Sequence, residues 1–200
     1  MTSPKKKSVF SLPINPKIDS KYADTVFVPW LKTYKDYISD LYFTCRMPPF
    51  TQDSMGDVFQ GDVRQLYYNA KAISEDAGDI PLSATFNNIY IRPDLENLDL
   101  FVKNFGQLYD QGIKIATIPH TSWVSTGILQ KEFPELKIKN TILRNVTRAN
   151  EVVALAKAGF HYINLDRDLM RDKEALKKIK KAKEYCAEIG KPVELSILTN

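Results

Sequence analysis

The stretch TRANEVVALAKAGFHYINLDRD (147–168) holds one complete passage from helix to strand. Thr147 to Ala158 reads as an amphipathic helix, with Thr147 as its N-cap and Gly159 as the residue that ends it in the left-handed conformation. HYINLDRD (161–168) then reads as a strand. Its Ile163 and Leu165 alternate with Asn164 and Asp166, so one face is apolar and the other polar. The same passage recurs along the chain. Strand-like segments occur at SVFSLPIN (8–15), SDLYFTCRM (39–47), PLSATFNNI (81–89), IKIATIPH (113–120), LKIKNTILRN (136–145), HYINLDRD (161–168) and PVELSILT (192–199). Helical stretches lie between them at 22–37, 62–77, 94–111, 125–133, 147–158 and 172–189, and Gly78, Gly112, Gly159 and Gly190 close four of the six.

Strict alternation of strand and helix predicts a parallel sheet, because parallel neighbours need a crossover between them. Successive strands begin about every 31 residues, the spacing of one unit in an eight-unit barrel of roughly 250 residues. No GxGxxG follows the first strand, as a dinucleotide-binding open sheet would have. One face of the strands also reads apolar: Phe10, Leu12 and Ile14; Leu41 and Phe43; Leu82, Ala84 and Phe86; Ile113 and Ile115; Ile163 and Leu165; Val193, Leu195 and Ile197. The alternate face is polar: Ser11 and Asn15; Thr44 and Arg46; Ser83, Thr85 and Asn87; Lys114, Ala116 and His120; Asn164 and Asp166; Glu194 and Ser196. The fifth segment does not alternate cleanly. This two-faced pattern predicts an α/β fold, a TIM-type parallel β/α barrel over residues 1–200 as a single partial domain, with helices outside and a polar lumen inside. Seven of eight strands are accounted for. The expectation is therefore a barrel completed either by a missing C-terminal segment or by a homo-oligomer.

The chain has 200 residues, 44% of them hydrophobic, and a net charge of +4. That charge is mild, and its lysine runs at Lys5–Lys7 and around 177–183 read as a solvated tail and a solvated helix face, so no nucleic-acid partner is expected. No segment reaches the roughly 18 apolar residues of a membrane span, so no membrane role is expected either. Two cysteines, Cys45 and Cys186, give neither a disulfide framework nor zinc-site spacing. A reducing cytoplasm is the expected setting.

Barrel sites gather where the carboxyl ends of the strands meet the βα-loops. His120 ends the fourth strand and is a candidate general base or metal ligand, with a hydrogen-bonded loop histidine as the alternative. Asp166, Arg167 and Asp168 form a polar group past the sixth strand. They suit substrate binding, or the ion-paired start of the next helix near Asp172. Glu194 points inward from early in its strand and needs a partner such as Lys114 or Arg144, unless it works as an acid or base. Arg46, Asn87 and Asn145 complete the rim as substrate-binding candidates. The loop MPPFTQDSMGDVFQGD (47–62) is long enough for a specificity loop or a packed plug. Cys45 beside Arg46 is a small core residue or a thiolate candidate. No GxSxG, HExxH or P-loop occurs, and no metal ligand set is predicted.

From about Pro81 onward the order of motifs resembles the collagenase-like peptidase family. The segments that carry the resemblance are KNTILRNVTRANEVVALAKAGF (139–160), INLDRDLM (163–170) with Asp for the family's Glu, and Glu194 at the start of PVELSILTN (192–200). The resemblance implies a barrel acting on a peptide or small-molecule substrate, with His120, Asp166, Arg167 and Glu194 as catalytic candidates. Some relatives carry an iron–sulfur cluster and assist hydroxylation, so the resemblance leaves the cofactor open. A non-catalytic binding or accessory barrel is the competing reading, and an aldolase or isomerase on the same fold is a third.

Overall fold

The computed structural model describes residues 9–15, 18–44, 47–51 and 63–197. Seven strands form one sheet in the order β1 to β7, and every neighbouring pair is parallel. They are β1 (Phe10–Pro13), β2 (Ile38–Thr44), β3 (Leu82–Thr85), β4 (Ile115–Ile118), β5 (Lys137–Asn140), β6 (Tyr162–Leu165) and β7 (Glu194–Ile197). The crossovers are helical. A first rod runs from α1 (Ser20–Tyr22) through a π-helical turn (Ala23–Phe27) into α2 (Val28–Tyr34). Then come α3 (Val63–Asp76), α4 (Leu95–Asp110), α5 (Thr121–Ser125), α6 (Ile128–Glu132), α7 (Ala149–Ala158) and α8 (Lys173–Glu188). The sheet curls into an open half-barrel, and among the described residues β1 and β7 do not pair with each other.

The helix boundaries follow local chemistry. Asp94 caps α4 by accepting the Asn97 N–H at 2.9 Å, and Asp172 caps α8 by accepting the Ala175 N–H at 2.9 Å. The cap expected from Thr147 is different in kind. There the Glu151 carboxylate reaches back to the Thr147 and Arg148 N–H groups at 2.9 and 2.8 Å, so an acid in the first turn replaces the hydroxyl. The single helix expected over 125–133 is two short ones, broken at Gly127, whose φ of +77° no β-branched residue tolerates without strain.

Register fixes which side chains share a face, because residues side by side in a parallel sheet point the same way. Ser11 lies opposite Asp40, Tyr42 opposite Ser83 and Thr85 opposite Thr117. Thr117 then lies opposite Lys139, Lys139 opposite Tyr162 and Tyr162 opposite Glu194. This is the concave, polar face. The convex face carries Leu41, Phe43, Ala84, Phe86, Ala116, Ile138 and Ile163, all at most 1% exposed, against the helices.

β4 faces the other way from the sequence expectation. Ile115 and Thr117 line the lumen, while Ala116 and Ile118 meet the helices. All four residues of β4 are buried, so its sequence gives no polar contrast, and the register is set by the threonine and lysine on either side. Lys114 accordingly lies outside the lumen. Its ammonium sits 3.3 Å from the centre of the Tyr109 ring and 3.6 Å from Glu135. Phe10 is a second departure. The pairing slips between Phe10 and Ser11, and Phe10 is exposed instead of covered by a helix.

The helix-facing core is aromatic around β3 and β4. Phe101 stands edge-on to Phe50 and Phe86, stacks on Phe105 and tilts against Trp123, with centroids 5.1–5.7 Å apart. Phe101→Ala is expected to lower unfolding free energy by about 3–5 kcal/mol in urea titrations, and a loss under about 1 kcal/mol contradicts this core assignment.

Candidate active site

The lumen contains a buried ion pair. Lys139 Nζ on β5 donates to Asp40 Oδ2 on β2 at 2.6 Å, with both side chains at most 8% exposed. Two hydroxyls surround the carboxylate: Ser11 donates to Oδ2 at 3.0 Å and Ser39 to Oδ1 at 2.8 Å. The ammonium also lies 3.4 Å from Ser11 Oγ and 5.3 Å from the centre of the Tyr162 ring. Tyr42 shares this face. Burial, and then the Asp40 charge, push its phenol pKa above the ordinary value, so it stays protonated. Ser83 Oγ is buried in the same lining with no hydrogen-bond partner.

Above this layer a side-chain clamp joins β5, β6 and β7. The Asn140 amide behaves like an extra peptide unit: its Oδ1 accepts the Asn164 N–H at 2.6 Å and its Nδ2 donates to the Asn164 carbonyl at 3.2 Å. Asn164 Nδ2 donates to the Asn140 carbonyl at 2.6 Å, and Ser196 Oγ donates to Asn164 Oδ1. The side chains stand in where the β5–β6 ladder holds a single register pair.

The predicted site residues fall into three groups. Asn87, Asn145, Asp166, Arg167 and Asp168 follow the carboxyl ends of their strands. Asp166 starts a 3₁₀ turn (Arg167–Arg171), accepting the Asp168 N–H at 2.8 Å, and Arg167 and Asp168 are exposed. Asn145 is exposed in the left-handed conformation after the turn Ile142–Arg144. Asp168 lines a rim groove of 720 Å³, with Arg148, Asn150, Asp172 and Lys178 among its walls.

His120 forms the second group. It ends β4 but is 4% exposed, edge-on to Trp123 at 4.9 Å, and its Nε2 has no partner. Burial and then the nearby Arg144 lower its pKa, while a hydrogen bond to the Ile91 carbonyl acts in the opposite sense. Arg144 itself donates twice to the Pro119 carbonyl, at 3.2 and 3.0 Å.

Glu194 stands apart, at the opening of β7, at the strand end away from the rim. Its ion-pair partner is Lys183 of α8 at 2.7 Å, in place of the expected Lys114 or Arg144. His120 is enclosed beside Trp123, while Asp166 is engaged in the turn after β6, so the two sit in separate surroundings. Cys45, Arg46 and the loop beyond Thr51 lie outside the described residues. Among the described residues no three His, Cys, Asp or Glu side chains are close enough to hold a metal ion, and no helix is long and apolar enough to cross a membrane.

Sequence reading missed Asp40, Lys139 and the Asn140–Asn164–Ser196 clamp as a set. The available signal was the charge in the middle of two strands: a lysine beside Ile138 and an aspartate before Leu41 each need a partner when buried.

No protein-family model matches the chain, and no curated protein matches it. Solved structures do. The U32 peptidase Mk0906 aligns with a TM-score of 0.58 at 12% identity, over 98% of this chain and 72% of that one. An enolase from alpha proteobacterium bal199 with bound Mg aligns with a TM-score of 0.58 at 15% identity, over 96% of this chain and 48% of that one. The homocysteine methyltransferase MmuM from Escherichia coli gives 0.49 at 12% identity, covering 98% and 83%. This chain is an incomplete TIM-type barrel. In a TIM-type barrel the functional face is the carboxyl end of the strands. The Asn140 clamp and the 166–168 turn lie toward that end, and Glu194 does not.

Both histidines are held neutral in this barrel. His161 accepts the Ile138 N–H on Nδ1 at 3.1 Å, which requires an unprotonated nitrogen, and burial followed by Lys137 and Lys191 lowers its pKa below 6.5. His120 is lowered from the same 6.5. The unfolded chain therefore binds protons that the folded barrel does not, in the window from about pH 6.5 down through the lowered values. Stability is expected to be full above that window and to fall as pH drops through it. The melting temperature of the wild type should decline between pH 7 and 5, with a shallower decline in His120→Gln. Identical profiles for the two proteins contradict the assignment.

Proposed function

We propose that this barrel binds a peptide or small polar molecule at the carboxyl ends of its strands and acts on it as a peptidase-like enzyme. One observation supports the reading above the others: His120 Nε2 is buried at the tip of β4 without a hydrogen-bond partner, on a ring whose pKa is lowered by its surroundings. A neutral imidazole with an unoccupied lone pair is what a general base requires near pH 7. In this reading His120 takes a proton from a water molecule as its oxygen bonds to the peptide carbonyl carbon, and returns that proton to the leaving amine nitrogen as the C–N bond breaks. Arg167 donates to the reacting carbonyl, Asp166 accepts an N–H of the ligand, and Asn87, Asn145 and Asp168 hold it at the rim, with Arg46 a further candidate from the sequence. Glu194, ion-paired with Lys183, anchors the far end of β7. The polar lumen lends support, because a barrel interior filled for packing alone is dominated by branched aliphatic residues. The U32 peptidase likeness supports the fold, and the step from fold to activity belongs to this proposal.

A second reading is a non-catalytic binding barrel. It is favoured by the enclosure of His120 at 4% exposure and by the neutralisation of Lys139 by Asp40. The two readings separate in one experiment. The whole chain is incubated with a mixed-sequence peptide library, and new amino termini are followed by mass spectrometry. The enzyme reading expects cleavage by wild type and a loss of about 10²-fold or more in His120→Gln, with a smaller loss in Asp166→Asn. Peptide retention without cleavage supports the binding barrel. Cleavage unchanged by His120→Gln removes His120 from the mechanism.

A further inference from the structure

We propose that Ser11, Asp40 and Lys139 form a second reactive centre, in which Ser11 Oγ is acylated by small carboxylic esters. The centre uses none of the rim residues, so it stands apart from the proposed peptide site. Ser11 lies on β1, which pairs only with β2 among the described residues, and it is exposed. Its hydroxyl nevertheless turns to a buried charge, donating to Asp40 Oδ2 at 3.0 Å. Asp40 is 1% exposed, and both of its oxygens are held. Lys139 Nζ donates to Oδ2 at 2.6 Å and Ser39 Oγ to Oδ1 at 2.8 Å. A nucleophile open to solvent, hydrogen-bonded to a base that other groups fix in place, is the arrangement covalent catalysis requires. The ammonium completes it. Lys139 Nζ also donates to Ser11 Oγ at 3.4 Å, so a fixed positive charge flanks the attacking oxygen. Two of its three N–H groups are then engaged, and the third is left for an oxygen that gains charge beside Ser11. Ser39 is not the nucleophile. Its hydroxyl is tied to the Phe10 carbonyl at 3.1 Å as well as to Asp40.

The reaction balances with the ester and water alone. Ser11 Oγ bonds to the ester carbonyl carbon while its proton passes to Asp40 Oδ2 along the hydrogen bond already present. The carbonyl oxygen takes up the electron pair of the C=O π bond and lies against the Lys139 ammonium. The bond from carbon to the alcohol oxygen then breaks, that oxygen takes the proton from Asp40, and the acyl group stays on Ser11. Water next bonds to the acyl carbon and gives a proton to Asp40. Ser11 Oγ recovers that proton as the carboxylic acid leaves. Esters fit better than amides. An amine must be protonated before it departs, whereas an alkoxide needs less help, and an Asp40 held on both oxygens cannot follow a leaving nitrogen. The acyl group has to enter beside a lysine side chain only 8% exposed, which limits it to a short one.

The test incubates the whole 200-residue chain with p-nitrophenyl acetate, follows nitrophenolate release, and maps acetyl groups by peptide mass spectrometry after an acid quench. A parallel sample receives a fluorophosphonate, whose phosphorus a nucleophilic serine attacks with loss of fluoride. The folded wild type is expected to carry the acetyl and the phosphonyl group on Ser11, and the urea-unfolded chain neither. Steady nitrophenolate release is expected to fall by about 10²-fold or more in Ser11→Ala. That variant keeps the Lys139–Asp40 pair, so its circular dichroism spectrum should match the wild type. The labelling comparison needs no variant and decides the matter even if Ser11→Ala fails to fold. Acetyl groups confined to lysines, a Ser11 adduct that forms equally in urea, or ester turnover unchanged in a folded Ser11→Ala each overturns the centre. Peptide cleavage through His120 is read on a different substrate, so either result stands without the other.

Discussion

The ion pair between Lys139 and Asp40 sets the shape of this molecule. The two residues sit on β5 and β2, three strand spacings apart, and their charged atoms are 2.6 Å from each other. Three spacings in a flat sheet come to about 14 Å, more than two side chains standing side by side can bridge. Ser11 on β1, one strand further away, also reaches this centre. The pair can therefore form only when the sheet is curled, and once formed it opposes flattening. Moving both charges out of water is costly, and the geometry offsets this with two hydroxyls on the carboxylate and the Tyr162 ring near the ammonium. A lone charge left behind in that lumen would have no such compensation.

The curl positions everything else. It turns the polar face of seven strands toward one space and gives the helices a convex apolar surface, where Phe86, Phe101, Phe105 and Trp123 pack. It also brings the ends of β5, β6 and β7 close enough for Asn140, Asn164 and Ser196 to bond in sequence. The rim turns after β5 and β6 extend from that clamp, so Asn145 and Asp166 inherit their positions from it.

Strand and helix alternation was legible in the sequence because five of the seven strands contrast a polar with an apolar face and glycines end the long helices. The facing of β4 was not legible, since Ile115, Ala116, Thr117 and Ile118 are all buried and carry little contrast. β5 was ambiguous for a related reason: LKIKN carries lysines on the face where other strands carry hydroxyls, and Lys139 reads as lumenal only once Asp40 is placed opposite it across the barrel. The rim residues were predicted from their position at strand ends, and that part follows from topology. The enclosure of His120 comes from Trp123 three residues on, and the partner of Glu194 comes from α8. Both are tertiary facts that a strand pattern does not contain.

The account stands most directly on a double-mutant cycle at Asp40 and Lys139, with unfolding free energies of Asp40→Leu, Lys139→Met and the double variant measured in urea at pH 7. Each single change strands the opposite charge and is expected to cost about 3–5 kcal/mol. The double variant should cost less than the sum of the two by about 1–3 kcal/mol. Two single variants that lose under about 1 kcal/mol and combine additively would show that the lumen keeps its curl without the pair.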